Sequence, residues 1–346
     1  MKFDFNDKDF SIWFSKNIKA EMKEKAKIAK GGRCYLCDAD CSSFCNSHSI
    51  PQFVLKHLTK SGQYSNSGAF SKIDFIKPVT GKNDVGTFHL ICKDCDSAFF
   101  KDYENPLLYD FSDTPLRQNI LFQIAIKNLL FQIDKANDEL SSLYHQFSLA
   151  QNADNQNSFA INSLCEKSKR LMLATGKRLE CYEKVLQYDR YCYDEKKRAF
   201  KILIQKYTNY KIPIAMQTII PVSKGLSGET INDFKNVLHF LHVCLFPIEN
   251  NSLILIFCHS ADDYYNQFEK DIKNKSLLEQ LEIINYHMVF RYSEDYYCNI
   301  DTMKSVCNDT ILKKVCRELS ECDLSNPILK IPNLLTKEYS LKGLDL

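Results

Sequence analysis

The sequence predicts an α+β protein in three parts: an N-terminal module closed around zinc, a helical middle, and a small C-terminal α+β domain. Three observations carry this reading. Two Cys-x-x-Cys pairs, Cys34-Tyr-Leu-Cys37 and Cys92-Lys-Asp-Cys95, bracket residues 38–91. Apolar residues at helical spacing then fill most of the stretch from Pro115 to Lys206. After Tyr210 they gather instead into short β-branched runs separated by turn residues. The expected boundaries are 1–30, a basic amphipathic helix; 31–106, the zinc module; 107–210, the helical region; and 211–346, the α+β domain.

The first element runs from about Asp9 to Lys30, where Phe10, Trp13, Phe14 and Ile18 make one apolar helix face. Its second half carries Lys16, Lys19, Lys23, Lys25, Lys27, Lys30 and Arg33 against only Glu21 and Glu24. Such a face could grip phosphates, or simply be solvated. Gly31-Gly32 ends it. Gln52 to Leu58 reads as a short helix, and Pro115 to Leu149 as one long helix with Leu116, Ile120, Ile124, Leu129 and Ile133 in a stripe. A polar loop over Gln151–Asn157 and two further helices, Phe159–Ala174 and Lys177–Lys206, complete the middle. Ile212–Val222 is apolar and β-branched, and Pro213 and Pro221, which cannot donate to a ladder, suggest either a sheet edge or a strand with ragged ends. Val237–Ile248 and Ser252–His259 form a hairpin about Glu249-Asn250-Asn251. Helices follow from Ser260 to Lys273 and from Leu277 to Tyr286.

A formal net charge of +2 gives no overall field toward a polyanion, so nucleic-acid binding would need a local patch. Fifteen cysteines, an odd number, follow a polar start with no apolar leader, which points to a reduced, cytoplasmic protein rather than a disulfide framework. The longest apolar stretch, Leu253–Cys258, is far too short to cross a membrane. Cysteines after Cys95 read as core residues. His239 and His242 lack a nearby acidic residue in the sequence and read as buried strand histidines. No phosphate-cradling glycine loop or nucleophile elbow is present.

Two residues between thiolates let both sulfurs of a tight turn face one ion, and two such turns make the closed tetrahedral set of a structural zinc site. Cys34, Cys37, Cys92 and Cys95 are therefore the expected ligands. The 54 residues between the pairs exceed the 15–20 of a compact two-knuckle finger, so the ion pins a longer insert. Cys41, Cys45 and His48 leave open a second ion or exchanged ligands.

Inside the insert, Ser47-His48-Ser49-Ile50-Pro51 lies between Cys34-x-x-Cys37 and Phe88-His-Leu-Ile-Cys92-Lys-Asp-Cys95-Asp96. This order resembles the zinc-containing form of the HNH, or ββα-metal, endonucleases, over about 75 of the 346 residues. The resemblance implies a ββα-metal, treble-clef-like module. It implies His48 as the general base toward water attacking a phosphodiester, and a divalent ion, magnesium or manganese, at the phosphate. Asp96, with Glu104 on the same presumed helix, would hold that ion. Ser47 stands where the family carries an acidic residue, and Thr87 falls near its middle asparagine. The Lys16, Lys19, Lys23, Lys27, Lys30 and Arg33 cations would contact nucleic acid, DNA before RNA. The C-terminal part would supply specificity, sensing or an oligomer contact, and a nuclease restrained in this way fits bacterial defence by fold-level analogy.

The bland readings stand beside these: His48 as a zinc ligand or support, Asp96 as a helix-terminal carboxylate, His89 as a strand histidine, and Glu104 as a surface residue. The competing function is a catalytically inert zinc-stabilised module that binds nucleic acid or protein.

Overall fold

The computed structural model describes residues 32–70, 77–109, 114–152, 199–233, 238–317 and 321–341. The predicted helix at 9–30, with Lys16, Lys19, Lys23, Lys27 and Lys30, and that at 159–174 lie outside these residues. The chain is mixed helix and sheet, and it divides into two compact units. The described residues of the first fall within Met1–Ser47, Phe88–Ala98 and Leu130–Lys184; those of the second fall within His48–Thr87, Phe99–Leu129 and Val185–Leu346. No helix among the described residues is long and apolar enough to cross a membrane.

In the first unit the strands Gly32–Arg33 and Asp40–Cys41 pair antiparallel, with Gly32 opposite Cys41. The helix Lys93–Phe99 starts directly after Cys92, with Asp94 and Asp96 in its first turn, where carboxylates oppose the partial positive charge of the free amides. Buried apolar residues of this unit, among those described, are Cys34, Phe88, Leu90 and Ile91, with Leu130, Phe131, Ile133 and Ala136 of the long helix. That helix spans Thr114–Asn152, longer at its C-terminus than the sequence predicts.

The second unit is organised by one antiparallel sheet of seven strands. Their spatial order is Val79–Gly81, Gln63–Asn66, Tyr296–Cys298, Ile214–Ile220, Leu241–Ile248, Asn251–His259 and Phe200–Thr208. Two of these strands come from between the cysteine pairs, so the insert contributes one edge of the C-terminal sheet. The predicted hairpin is present, with Glu249 in left-handed backbone at φ 45° between its strands.

The middle strands are buried along nearly their whole length, because both faces are covered. On one face Ile214, Met216, Val243, Leu245, Ile254 and Ile256 join Phe268, Ile272, Met288 and Val289 in the main core. Cys258, Cys298 and Cys322 lie in this core as predicted. On the other face Tyr109 meets Phe246 edge to face at 5.8 Å, and Tyr103 Oη lies 3.0 Å from Gln217 Oε1. Lys127 of the Thr114–Asn152 helix is buried with its Nζ 4.2 Å from the centre of the Phe100 ring, a geometry in which an amine packs on an aromatic face.

Three expectations are corrected. Residues 200–206 form a strand at the sheet edge rather than the end of a helix, because pairing with Asn251–His259 supplies backbone partners that outweigh local periodicity. Of the two readings of 212–222, the edge is ruled out and the proline-bounded strand holds: Ile214–Ile220 is a central strand, and Pro213 and Pro221 sit just beyond its ends and cost the ladder no donor. The helix Leu277–Ile283 continues into a π-helical segment, Ile284–Arg291, whose residues 284–290 are all buried.

Candidate metal centre and its surroundings

The thiols of Cys34, Cys37, Cys92 and Cys95 lie within 4.8 Å of one another, and Cys37 Sγ is 3.9 Å from Cys92 Sγ. Zinc–sulfur bonds of about 2.3 Å in a tetrahedron put neighbouring sulfurs about 3.8 Å apart, so this donor set fits a zinc ion. No other group of three or more His, Cys, Asp or Glu side chains is gathered this closely among the described residues.

Local backbone builds the cluster. The Asp38 amide donates to Cys34 O at 2.8 Å, with Asp38 in left-handed backbone at φ 59°, and the Cys34 amide donates to Ala39 O at 2.9 Å. These bonds fold the first pair into a knuckle. The second pair is the first helical turn: the Cys95 amide points at Cys92 Sγ from 3.4 Å, and the Asp96 amide donates to Cys92 O at 3.0 Å. Tyr35 N to Leu90 O at 3.0 Å and Cys92 N to Cys34 Sγ at 3.3 Å join the knuckles.

Burial alone would raise the Cys34 thiol, but the amides of Cys92, Cys37 and Leu36 and the Cys37 side chain outweigh it and bring it down to about 7. Burial and the neighbouring thiols raise Cys95. Without a cation, the first thiolate opposes the next; a divalent ion removes that conflict. Cys41 stands beside the cluster, its thiol raised by burial first and then by Cys92, Cys34 and Cys37. The Cys45 amide donates to Ile91 O at 2.9 Å.

Each predicted catalytic residue has a definite setting. His48 Nε2 lies 3.2 Å from Lys82 O. A carbonyl only accepts, so Nε2 carries the proton and Nδ1 is the basic nitrogen. Asp96 Oδ1 accepts from the buried Ser47 hydroxyl at 2.6 Å. Glu104 does not extend the Asp96 helix, which ends at Phe99. It is exposed in the following turn, and its Oε2 accepts from the Gln52 amide at 3.1 Å, satisfying a free donor at the start of the Gln52–Leu58 helix. Thr87 belongs to a two-residue strand with Phe88, and His89 lies just past it, its amide 3.4 Å from Asp134 Oδ1. Arg33 is exposed between Asp38 at 3.5 Å and Asp40 at 3.7 Å.

Elsewhere, His239 has an acidic partner that its sequence neighbours do not reveal. Its Nδ1 lies 2.7 Å from Asp262 Oδ1, and its ring stacks on Tyr264 at 4.1 Å. Asp262 is 23 residues away and is delivered by the turn after the 251–259 strand. His242, in contrast, is a buried histidine as expected.

No family model, curated protein or solved structure matches this chain.

Proposed function

We propose that the chain is an HNH-like, metal-dependent endonuclease that hydrolyses phosphodiester bonds in nucleic acid, DNA before RNA. The observation carrying this reading is the hydrogen bond between His48 Nε2 and Lys82 O, which assigns the proton to Nε2. With Nε2–H directed at Lys82 O, Nδ1 carries the imidazole lone pair, the atom to which this reading gives the proton from water. His48 directly follows Ser47, whose hydroxyl reaches Asp96 in the first turn after the second cysteine pair. The order of cysteine pair, histidine and second pair supports a ββα-metal module, with zinc at Cys34, Cys37, Cys92 and Cys95 as a structural ion.

In this function Nδ1 of His48 accepts a proton from the attacking water and the imidazole becomes a cation. A magnesium or manganese ion would be held by Asp96 and would offset charge on the phosphate. Lys16, Lys19, Lys23, Lys27, Lys30 and Arg33 are proposed to contact the nucleic-acid backbone, and the C-terminal sheet unit to supply specificity or self-association, in the cytoplasm.

Two hydrogen bonds favour a second reading, an inert zinc-stabilised binding module: Asp96 is engaged by Ser47, and Glu104 by the Gln52 amide. One experiment separates the two. Zinc-loaded protein is incubated with plasmid DNA and, separately, RNA in magnesium or manganese, beside His48→Ala of measured zinc content. The nuclease reading expects metal-dependent cutting that falls at least about 100-fold in His48→Ala with zinc retained. Binding without cutting by the wild type would establish the inert module, and zinc loss in His48→Ala would make the histidine a ligand.

A further inference from the structure

The orientation of His48 depends on a turn that is itself held from far along the sequence. Lys82, whose carbonyl accepts from His48 Nε2, begins the turn over residues 82–86. The Lys82 amide donates to Gly62 O at 2.9 Å. At the other end Gly86 O accepts from the Ser49 amide at 2.8 Å, one residue past His48. The remaining amide of that end, Gly86 N–H, donates to Oη of Tyr297 at 2.7 Å.

Tyr297 is well suited to hold a fixed point. Its strand is paired on both sides, Tyr297 lying opposite Ala215 on one neighbour and Asn66 on the other. The fit at Gly86 is close: with φ +57°, a Cβ there would sit 2.5 Å from Ser49 Oγ and 3.5 Å from the Tyr297 ring. Burial first, and then the charge of Asp295, raise the Tyr297 hydroxyl far above its ordinary range, so it remains a neutral phenol.

From this geometry we infer that Tyr297 is a positioning residue for His48: its hydroxyl fixes the Gly86 end of the turn whose Lys82 carbonyl selects the Nε2–H tautomer. The inference rests on reading His48 as the base, and it gives the C-terminal sheet a definite task at the candidate site. It reaches 211 residues along the chain, where no local motif could show it.

The test uses full-length, zinc-loaded protein with 15N-labelled histidine, the His48 resonances being assigned by their loss in His48→Gln. The wild type is expected to show His48 as the Nε2–H tautomer. Tyr297→Phe, which removes one oxygen and keeps the ring, is expected to give a mixture of tautomers with zinc content unchanged. Plasmid cleavage should lose roughly tenfold in kcat with KM preserved, as expected for a displaced catalytic group. Gly86→Ala disturbs the same turn from its opposite side and should shift the tautomer in the same direction, which keeps the test decisive if Tyr297→Phe folds poorly. An unchanged Nε2–H tautomer in the folded variants would overturn the inference. If the wild type does not cut nucleic acid, the reading of His48 as base fails, and the tautomer measurement alone decides the role of Tyr297.

Discussion

Removing metal from the Cys34, Cys37, Cys92 and Cys95 cluster is expected to unfold the N-terminal unit while the seven-stranded sheet keeps its structure. Tyr35 N to Leu90 O and the amides aimed at sulfur join the two knuckles around the thiol cluster itself. The main core of the second unit stands on more than thirty side chains and includes none of the four cysteines. A structural zinc contributes apparent binding energies of about 10–16 kcal/mol in small zinc modules, as large as the whole stability of a typical domain. Chelation, or Cys92→Ser, should therefore abolish hydrogen-exchange protection around residues 34–45 and 90–98, with protection across 241–259 retained. A chelated protein that keeps full protection in the cysteine segments would show that packing alone holds them.

Mild acid should weaken the sheet unit strongly, through two histidines whose burial disfavours protonation in the folded state. His242 is buried, its ring stacks on Phe257 at 4.6 Å, and its Nδ1 lies 3.2 Å from Asn128 Nδ2. Asn128 Nδ2 is also 3.2 Å from Thr218 O, which fixes the nitrogen as a donor toward the ring. A proton on His242 Nδ1 would face another donor in a dry interior, and burial pulls the imidazole down to about 3. His287 is fully buried with no hydrogen-bond partner on either ring nitrogen among the described residues, and burial followed by Arg291 lowers it to about 4.

Both folded values lie below the ordinary 6.5, so the unfolded chain binds protons first as pH falls. Stability is full above about pH 6.5 and declines from there toward the folded values. At pH 4.5 the two histidines together should cost on the order of 5 kcal/mol. Urea midpoints of the 241–259 signals at pH 7.5 and 4.5 measure this directly. His242→Phe and His287→Phe should each flatten the difference; an equal loss in both variants and wild type would remove these histidines as the cause. Comparing variants separates this effect from acid release of metal at the cysteines.

The parts of this protein that were legible in its sequence are those set by near neighbours along the chain. Spacing of two between thiols dictates a knuckle, and the four cysteines converge as their pattern predicts. Gln52–Leu58 is helical over the expected residues, and Glu249-Asn250 turns the expected hairpin, because caps, turns and apolar period act over a few residues. Tertiary structure alone decided the rest. Phe200, Leu203 and Ile204 satisfy a helical or an extended pattern, and only the free edge of the 251–259 strand selects extension. Pro213 and Pro221 bound a central strand because neighbours on both sides bury it. Asp262 at His239, Ser47 at Asp96 and Tyr297 at Gly86 join residues 23, 49 and 211 positions apart. The sequence names the groups that can do chemistry; which of them meet depends on chain closure over distances where no local energy term discriminates among partners.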